Sequence, residues 1–126
     1  MSKTAITAPE LTPPVGPYSQ AIKVGGFIYF SGQVGQDPTT GKLVAGGLAA
    51  EAKRAFENLA AVLKAAGKSF DDVVRAGVYL TSMSDYAALN SVYAEQFRPP
   101  FPVRTVIGVA ALPLGACVEI DLVVEA

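Results

Sequence analysis

Histidine is absent from this 126-residue sequence. The absence removes Ser-His and Cys-His nucleophile pairs and most transition-metal sites. The single cysteine, Cys117, has no partner for an internal disulfide, and such usage suits a reducing compartment. No apolar run reaches the roughly 18 residues of a membrane span. Met1 to Gln20 also lack the basic start and apolar stretch of a secretory signal, so the expected location is cytoplasmic. No excess of one charge is present either, because ten basic and eleven acidic residues leave a net charge of -1. Nucleic acid and anionic membranes are therefore not expected partners. Chemistry near neutral pH is left to carboxylates, arginine, hydroxyls, backbone groups and bound water, with no metal and no cofactor.

What is present builds one domain over residues 1–126, since 51% of the residues are hydrophobic and only 17% charged. Pro9, Pro13, Pro14 and Pro17 predict an extended N-terminal arm over Met1 to Pro17, with no helix before Tyr18. Ala21 to Val24 and Phe27 to Gln33 read as a hairpin around Gly25-Gly26. Gln36 to Gly47 is a loop, with a short strand near Leu43 and Val44. Leu48, Ala52, Ala55, Phe56, Leu59, Leu63 and Ala66 form one helical stripe. Glu51 stands in its first turn, Lys64 in its last, and Gly67 stops it.

Val73 to Thr81 alternates as a strand, with Val74, Ala76, Val78 and Leu80 on one face. Ser84 is the expected N-cap of a second helix with the stripe Tyr86, Leu89, Tyr93 and Phe97, ended by Pro99-Pro100. Val103 to Ala110 and Cys117 to Glu125 are the last two strands, parted by the turn at Leu112 to Gly115. The predicted order is strand, strand, helix, strand, helix, strand, strand. Two helices cover one face of such a sheet, and nothing remains for the face that carries Tyr79 and Val123. Burial of that face against further copies of the chain is expected.

Arg104 alternates with Val103, Thr105 and Ile107. If those neighbours face the helices, its guanidinium points into the uncovered face. An arginine cannot shed its charge, so it needs either a protein carboxylate or a ligand carboxylate. Glu119 shares a face with Asp121 and Glu125, and either pairs with Arg104 or polarises a water beside a bound substrate. Asn90 falls between Tyr86 and Tyr93 and either ties down a loop or reaches a ligand. Ser31 ends a strand where Gly32 permits close approach of another strand or of a ligand, and Tyr18 anchors the arm or presents its hydroxyl at a pocket rim.

Several segments in order, Gly16-Pro17-Tyr18-Ser19-Gln20-Ala21, Ser31-Gly32-Gln33, Asn90-Ser91-Val92-Tyr93, Phe101-Pro102-Val103-Arg104-Thr105, Leu112-Pro113 and Val118-Glu119-Ile120-Asp121, resemble the RidA (YjgF) family of reactive intermediate deaminases. The resemblance runs from about Pro14 to the C-terminus. It implies an α+β, chorismate-mutase-like fold, a mixed sheet with two helices on one face, and homotrimers with ligand sites in the clefts between subunits. It also implies hydrolysis of 2-imino or enamine acids (2-aminoacrylate, 2-iminopropanoate, 2-iminobutanoate) to 2-keto acids and ammonia. In that likeness Arg104 binds the substrate carboxylate, Glu119 positions the attacking water, and Tyr18, Ser31, Gly32 and Asn90 line the pocket. Some members carry a cysteine two positions beyond the arginine, where this chain has Val106, so a thiol role is not implied. The alternative function is a non-catalytic module that binds small carboxylates such as 2-keto acids in the same clefts. An endoribonuclease, an older name attached to the family, is disfavoured by the lack of histidine and of basic excess.

Overall fold

The period-two alternation of the last strand organises the molecule, and the computed structural model, which describes residues 2–126, places that strand in the middle of a six-stranded sheet. The elements are β1 (Thr4–Ile6), β2 (Ala21–Val24), β3 (Phe27–Phe30), α1 (Gly47–Ala65), β4 (Val73–Leu80), α2 (Tyr86–Ala94), β5 (Val103–Gly108) and β6 (Val118–Glu125). The sheet order is β1-β2-β3-β6-β4-β5. All neighbours run antiparallel except β4 and β5, which are parallel, so the sheet is mixed as expected.

Val118, Ile120, Leu122 and Val124 of β6 are buried, and with Ala76, Val78 and Leu80 of β4 they form the floor on which the helices pack. The α1 stripe of Leu48, Ala52, Ala55, Phe56, Leu59 and Leu63 is buried as its spacing predicts, joined by Val62. Leu89, Val92 and Tyr93 do the same for α2, followed by Phe97 just beyond its end. Phe56 joins the two helices, with Phe70, Tyr93 and Phe97 edge-on around it at centroid distances of 5.9, 6.0 and 6.1 Å. Offset and edge-on geometries are the favourable ones for ring pairs.

Several sequence expectations change. The N-terminal arm is not only a surface segment, because β1 pairs with β2 ahead of the first proline. Ala8 and Leu11 enter the core, and the Ala8 N–H donates to Gln20 Oε1 at 2.6 Å. The proline-rich part begins only at Pro9, so Thr4–Ile6 keep the backbone donors a strand requires. Glu51 lies beyond the first turn of α1. It is buried, and its carboxylate accepts from the Cys117 N–H at 2.9 Å. Ser84 does not cap α2. It shares a hydrogen bond with Ser82, and a short 3-10 turn at Met83–Asp85 leads into the helix. That helix ends at Ala94, before Pro99-Pro100. A bulge between Val73 and Arg75 moves Val73, not Val74, into the core.

The opposite face of the sheet has no helix. Phe27, Tyr29, Val103 and Ile107 are exposed there, and the Tyr79 hydroxyl donates to Asp121 Oδ2 at 2.8 Å. No helix of the described residues is long and apolar enough to cross a membrane.

The aromatic junction yields a test. Phe56→Ala should cost about 3–5 kcal/mol in urea unfolding, the range for truncating a buried aromatic side chain. Tyr93→Phe should leave stability unchanged or raise it by about 1 kcal/mol, because the buried Tyr93 hydroxyl has no hydrogen-bond partner among the described residues.

Candidate active site

Arg104 stands on the edge strand β5, directly across from Ala76 of β4. Ala76 is fully buried beneath the helices, so Arg104 faces the helix side. This reverses the expectation, for Val103 (69% exposed) and Ile107 (45% exposed) are the residues on the uncovered face. The reason lies in α2. Its first two turns offer polar groups above β5, and the guanidinium docks among them: Nη1 donates to Asn90 Oδ1 at 2.8 Å and Nη2 to the Tyr86 hydroxyl at 3.0 Å. The charge also lies over the Tyr93 ring, 4.7 Å from its centroid, and 5.7 Å from that of Tyr86.

Every acceptor in this cage is neutral. Among the described residues no carboxylate forms an ion pair with Arg104; the pairs present join Arg54 to Glu57, Arg75 to Asp121 and Arg98 to Asp71. Among the described residues Arg104 therefore has no carboxylate partner, and it does not pair with Glu119. A guanidinium carries five N–H donors. With two donated to α2, three remain for a ligand.

Glu119 lies on the other side of the sheet. Its neighbours Val118 and Ile120 point into the core and its cross-strand partner is Tyr79, so alternation turns its carboxylate to the helix-free face. There it lines a cleft of about 450 Å³ with Tyr18, Ser31, Gly32, the Pro13-Pro14-Val15 stretch and Leu114. The arm forms one wall, and the turn at Pro113–Gly115 another. Gly32 lets the carboxylate lie close, since a Cβ at this position would overlap Glu119 Oε2 and lie 2.8 Å from its Cδ unless that side chain moved. The Ser31 hydroxyl donates to the Ser19 carbonyl at 2.6 Å, which ties the arm to β3 and leaves the hydroxyl oxygen to accept. Tyr18 is half exposed at the rim.

Burial, and secondarily the charge of Asp121, pushes the Glu119 carboxyl above the usual carboxylate range. Cys117 is a poor nucleophile, because burial and the hydrogen bond to Glu51 push its thiol up to about 12. Among the described residues no three His, Cys, Asp or Glu side chains gather as a metal site would need.

The predicted site residues therefore form two groups. Tyr18, Ser31, Gly32 and Glu119 meet in one cleft, while Arg104 and Asn90 meet on the far side of the sheet. Asn90 accepts from the arginine, a role that the sequence reading, which offered a loop or a ligand as its partner, did not name. Tyr86 was readable only as part of an apolar stripe, although its four-residue spacing from Asn90 places both on one helix face.

An open mixed sheet with two helices on one face is an architecture shared with solved RidA structures. That of an Antarctic Psychrobacter species superposes with a TM-score of 0.92 at 44% identity, covering 98% of this chain and 99% of that one. E. coli TdcF, solved with bound serine, gives 0.89 at 30% identity, covering 98% of each chain. The family profile described as Endoribonuclease L-PSP matches residues 8–126. Among characterised relatives, the 2-iminobutanoate/2-iminopropanoate deaminase of Dermatophagoides farinae is 43% identical over 97% of this chain and 95% of its own. The human protein of that name is 48% identical over 86% and 80%. This chain belongs to the RidA (YjgF) family.

The raised carboxyl yields a pH prediction. A folded pKa above the unfolded value means that the folded chain holds the proton more tightly, so stability present at acid pH is lost as pH rises through the folded value. Glu119→Gln should therefore be more stable than wild type at neutral pH, with the gain vanishing below the usual glutamate range. Urea unfolding across a pH series checks this, and a gain of equal size at every pH would contradict it.

Proposed function

We propose that this chain is an imine deaminase that hydrolyses 2-imino acids, 2-iminobutanoate and 2-iminopropanoate among them, to 2-keto acids and ammonia. The observation that carries the reading is the guanidinium of Arg104, oriented by Asn90 and Tyr86 and without a carboxylate partner among the described residues. A side chain held in this way is built to take a carboxylate, bidentately where the ligand allows. The relatives named as deaminases of two such substrates fit a carboxylate-bearing ligand, as does the serine held by TdcF.

Arg104 and Glu119 act together only if two copies of the chain meet, one contributing Arg104 and the other the Glu119 cleft. The exposed apolar face supplies a surface for such assembly, and the homotrimer is the form we propose. In the completed cleft Arg104 fixes the substrate carboxylate, so that C2 of the protonated imine lies before a water on Glu119. Glu119 takes a proton from that water as its oxygen bonds to C2, and the C=N pair of electrons moves to nitrogen. The proton then passes to the amine, Glu119 takes the remaining hydroxyl proton as the C–N bond breaks and the C=O bond forms, and ammonia leaves the 2-keto acid. Burial and the neighbouring Asp121 make the Glu119 carboxylate more basic, which suits it to the first step. Ser31, Gly32 and Tyr18 supply hydrogen-bonding and backbone contacts around the water and the amine. No residue need form a covalent intermediate, since a protonated imine is already electrophilic.

Ribonuclease chemistry has no comparable support. The chain has no histidine and a net charge of -1, and RNA recognition relies on basic surfaces.

The test is imine hydrolysis in a coupled assay, with an amino-acid oxidase producing the imine and semicarbazide trapping what escapes hydrolysis. Wild type should suppress trapping. Arg104→Ala and Glu119→Gln should each lower kcat/KM by about a hundredfold or more, the scale of losing a charge-assisted anchor or a general base. Saturable binding of 2-oxobutanoate without any suppression by wild type would make the protein a carboxylate-binding module instead.

A further inference from the structure

The side chains of α2 orient Arg104. Three α2 side chains surround the guanidinium: Tyr86 and Asn90 hold Nη2 and Nη1 respectively, and the Tyr93 ring lies beneath. Tyr93 is fixed by its contacts with Phe56 and Phe97. Tyr86 differs, for the residue is 40% exposed and, among the described residues, its hydroxyl bonds only to Arg104. Burial in the core therefore does not explain a tyrosine at this position.

We propose that Tyr86 is a positioning residue for substrate binding, acting through Arg104. This deepens the carboxylate-anchoring role given to Arg104 and rests on that reading. A hydrogen bond to each Nη fixes both the direction and the twist of the planar fork, whereas a single bond to Asn90 leaves it free to pivot. A bidentate grip depends on that plane, because both N–H bonds must point at the two oxygens of one carboxylate. The phenol suits this role better than an aspartate or glutamate would. A carboxylate would hold the fork as firmly but would also neutralise it, leaving less charge for the ligand. A neutral hydroxyl orients the cation without discharging it.

The consequence is a division of effects. Tyr86 touches neither C2 nor the water, so its loss weakens carboxylate capture and leaves the chemical step unchanged. Tyr86→Phe removes only the hydroxyl and keeps the ring, so the helix and its packing survive. In the assembled protein, calorimetry with 2-oxobutanoate should show a Kd raised by about fivefold to tenfold, the scale of one partly exposed charge-assisted hydrogen bond. In the coupled assay KM for 2-iminobutanoate should rise by the same factor, with kcat within about twofold of wild type.

A Kd for Tyr86→Phe equal to that of wild type, with binding abolished in Arg104→Ala, would overturn the positioning role while leaving Arg104 as the anchor. A fall in kcat at unchanged KM would also overturn it, since that places the hydroxyl in the chemical step. No saturable binding of 2-oxobutanoate by wild type would overturn it as well. Weakened binding in the variant, with no turnover by wild type, would uphold the role of Tyr86 and defeat the deaminase reading, so the two claims fail separately.

Discussion

The alternation of side chains along β6 is the constraint on which the rest depends. Val118, Ile120, Leu122 and Val124 must face the helices to close the core, and a strand gives its intervening residues no choice but the opposite face. Glu119 and Asp121 are thereby committed to the helix-free side. The same rule in β5, in parallel register with β4, sends Arg104 to the helix side. The sheet becomes a wall with Glu119 on one side and Arg104 on the other.

Electrostatics then differ sharply across the wall. On the helix side a cation is held by neutral partners, with its charge left available. On the other side Asp121 is already engaged by the Tyr79 hydroxyl and by Arg75 at 3.6 Å, while Glu119 has no such ion pair among the described residues. Hydrogen bonding to Asp121 raises the Tyr79 phenol above its usual value, so that hydroxyl remains a donor. The acidic pair is thus asymmetric: Asp121 is tied to Tyr79 and Arg75, whereas Glu119 faces the cleft.

Much of this was legible in the sequence because it follows from periodicity. The two helices, the hairpin at Gly25-Gly26 and the buried sides of β4 and β6 all emerge from spacing, and the segments around Arg104 and Glu119 carry the family likeness. The misreading of β5 has a definite cause. The apolar Val103 and Ile107 mark their side of β5 as the one for the core, yet that side faces outward on the helix-free face. An amphipathic pattern identifies two faces, but assigning one to the core requires knowing what lies above it. For β5 the cover is Tyr86, Asn90 and Tyr93, which accept a guanidinium. β1 was hidden for a different reason: three residues are too few for alternation to register, and the nearby prolines obscured them.

The central claim is that a working site takes Arg104 from one chain and Glu119 from another. Its most direct measurement is complementation, in which Arg104→Ala and Glu119→Gln chains, each inactive alone, are unfolded together at equal concentration and reassembled. Random mixing should leave about a quarter of the clefts with both residues intact, and imine hydrolysis should return to about that fraction of wild type. Mixed oligomers that form and stay inactive would contradict the account.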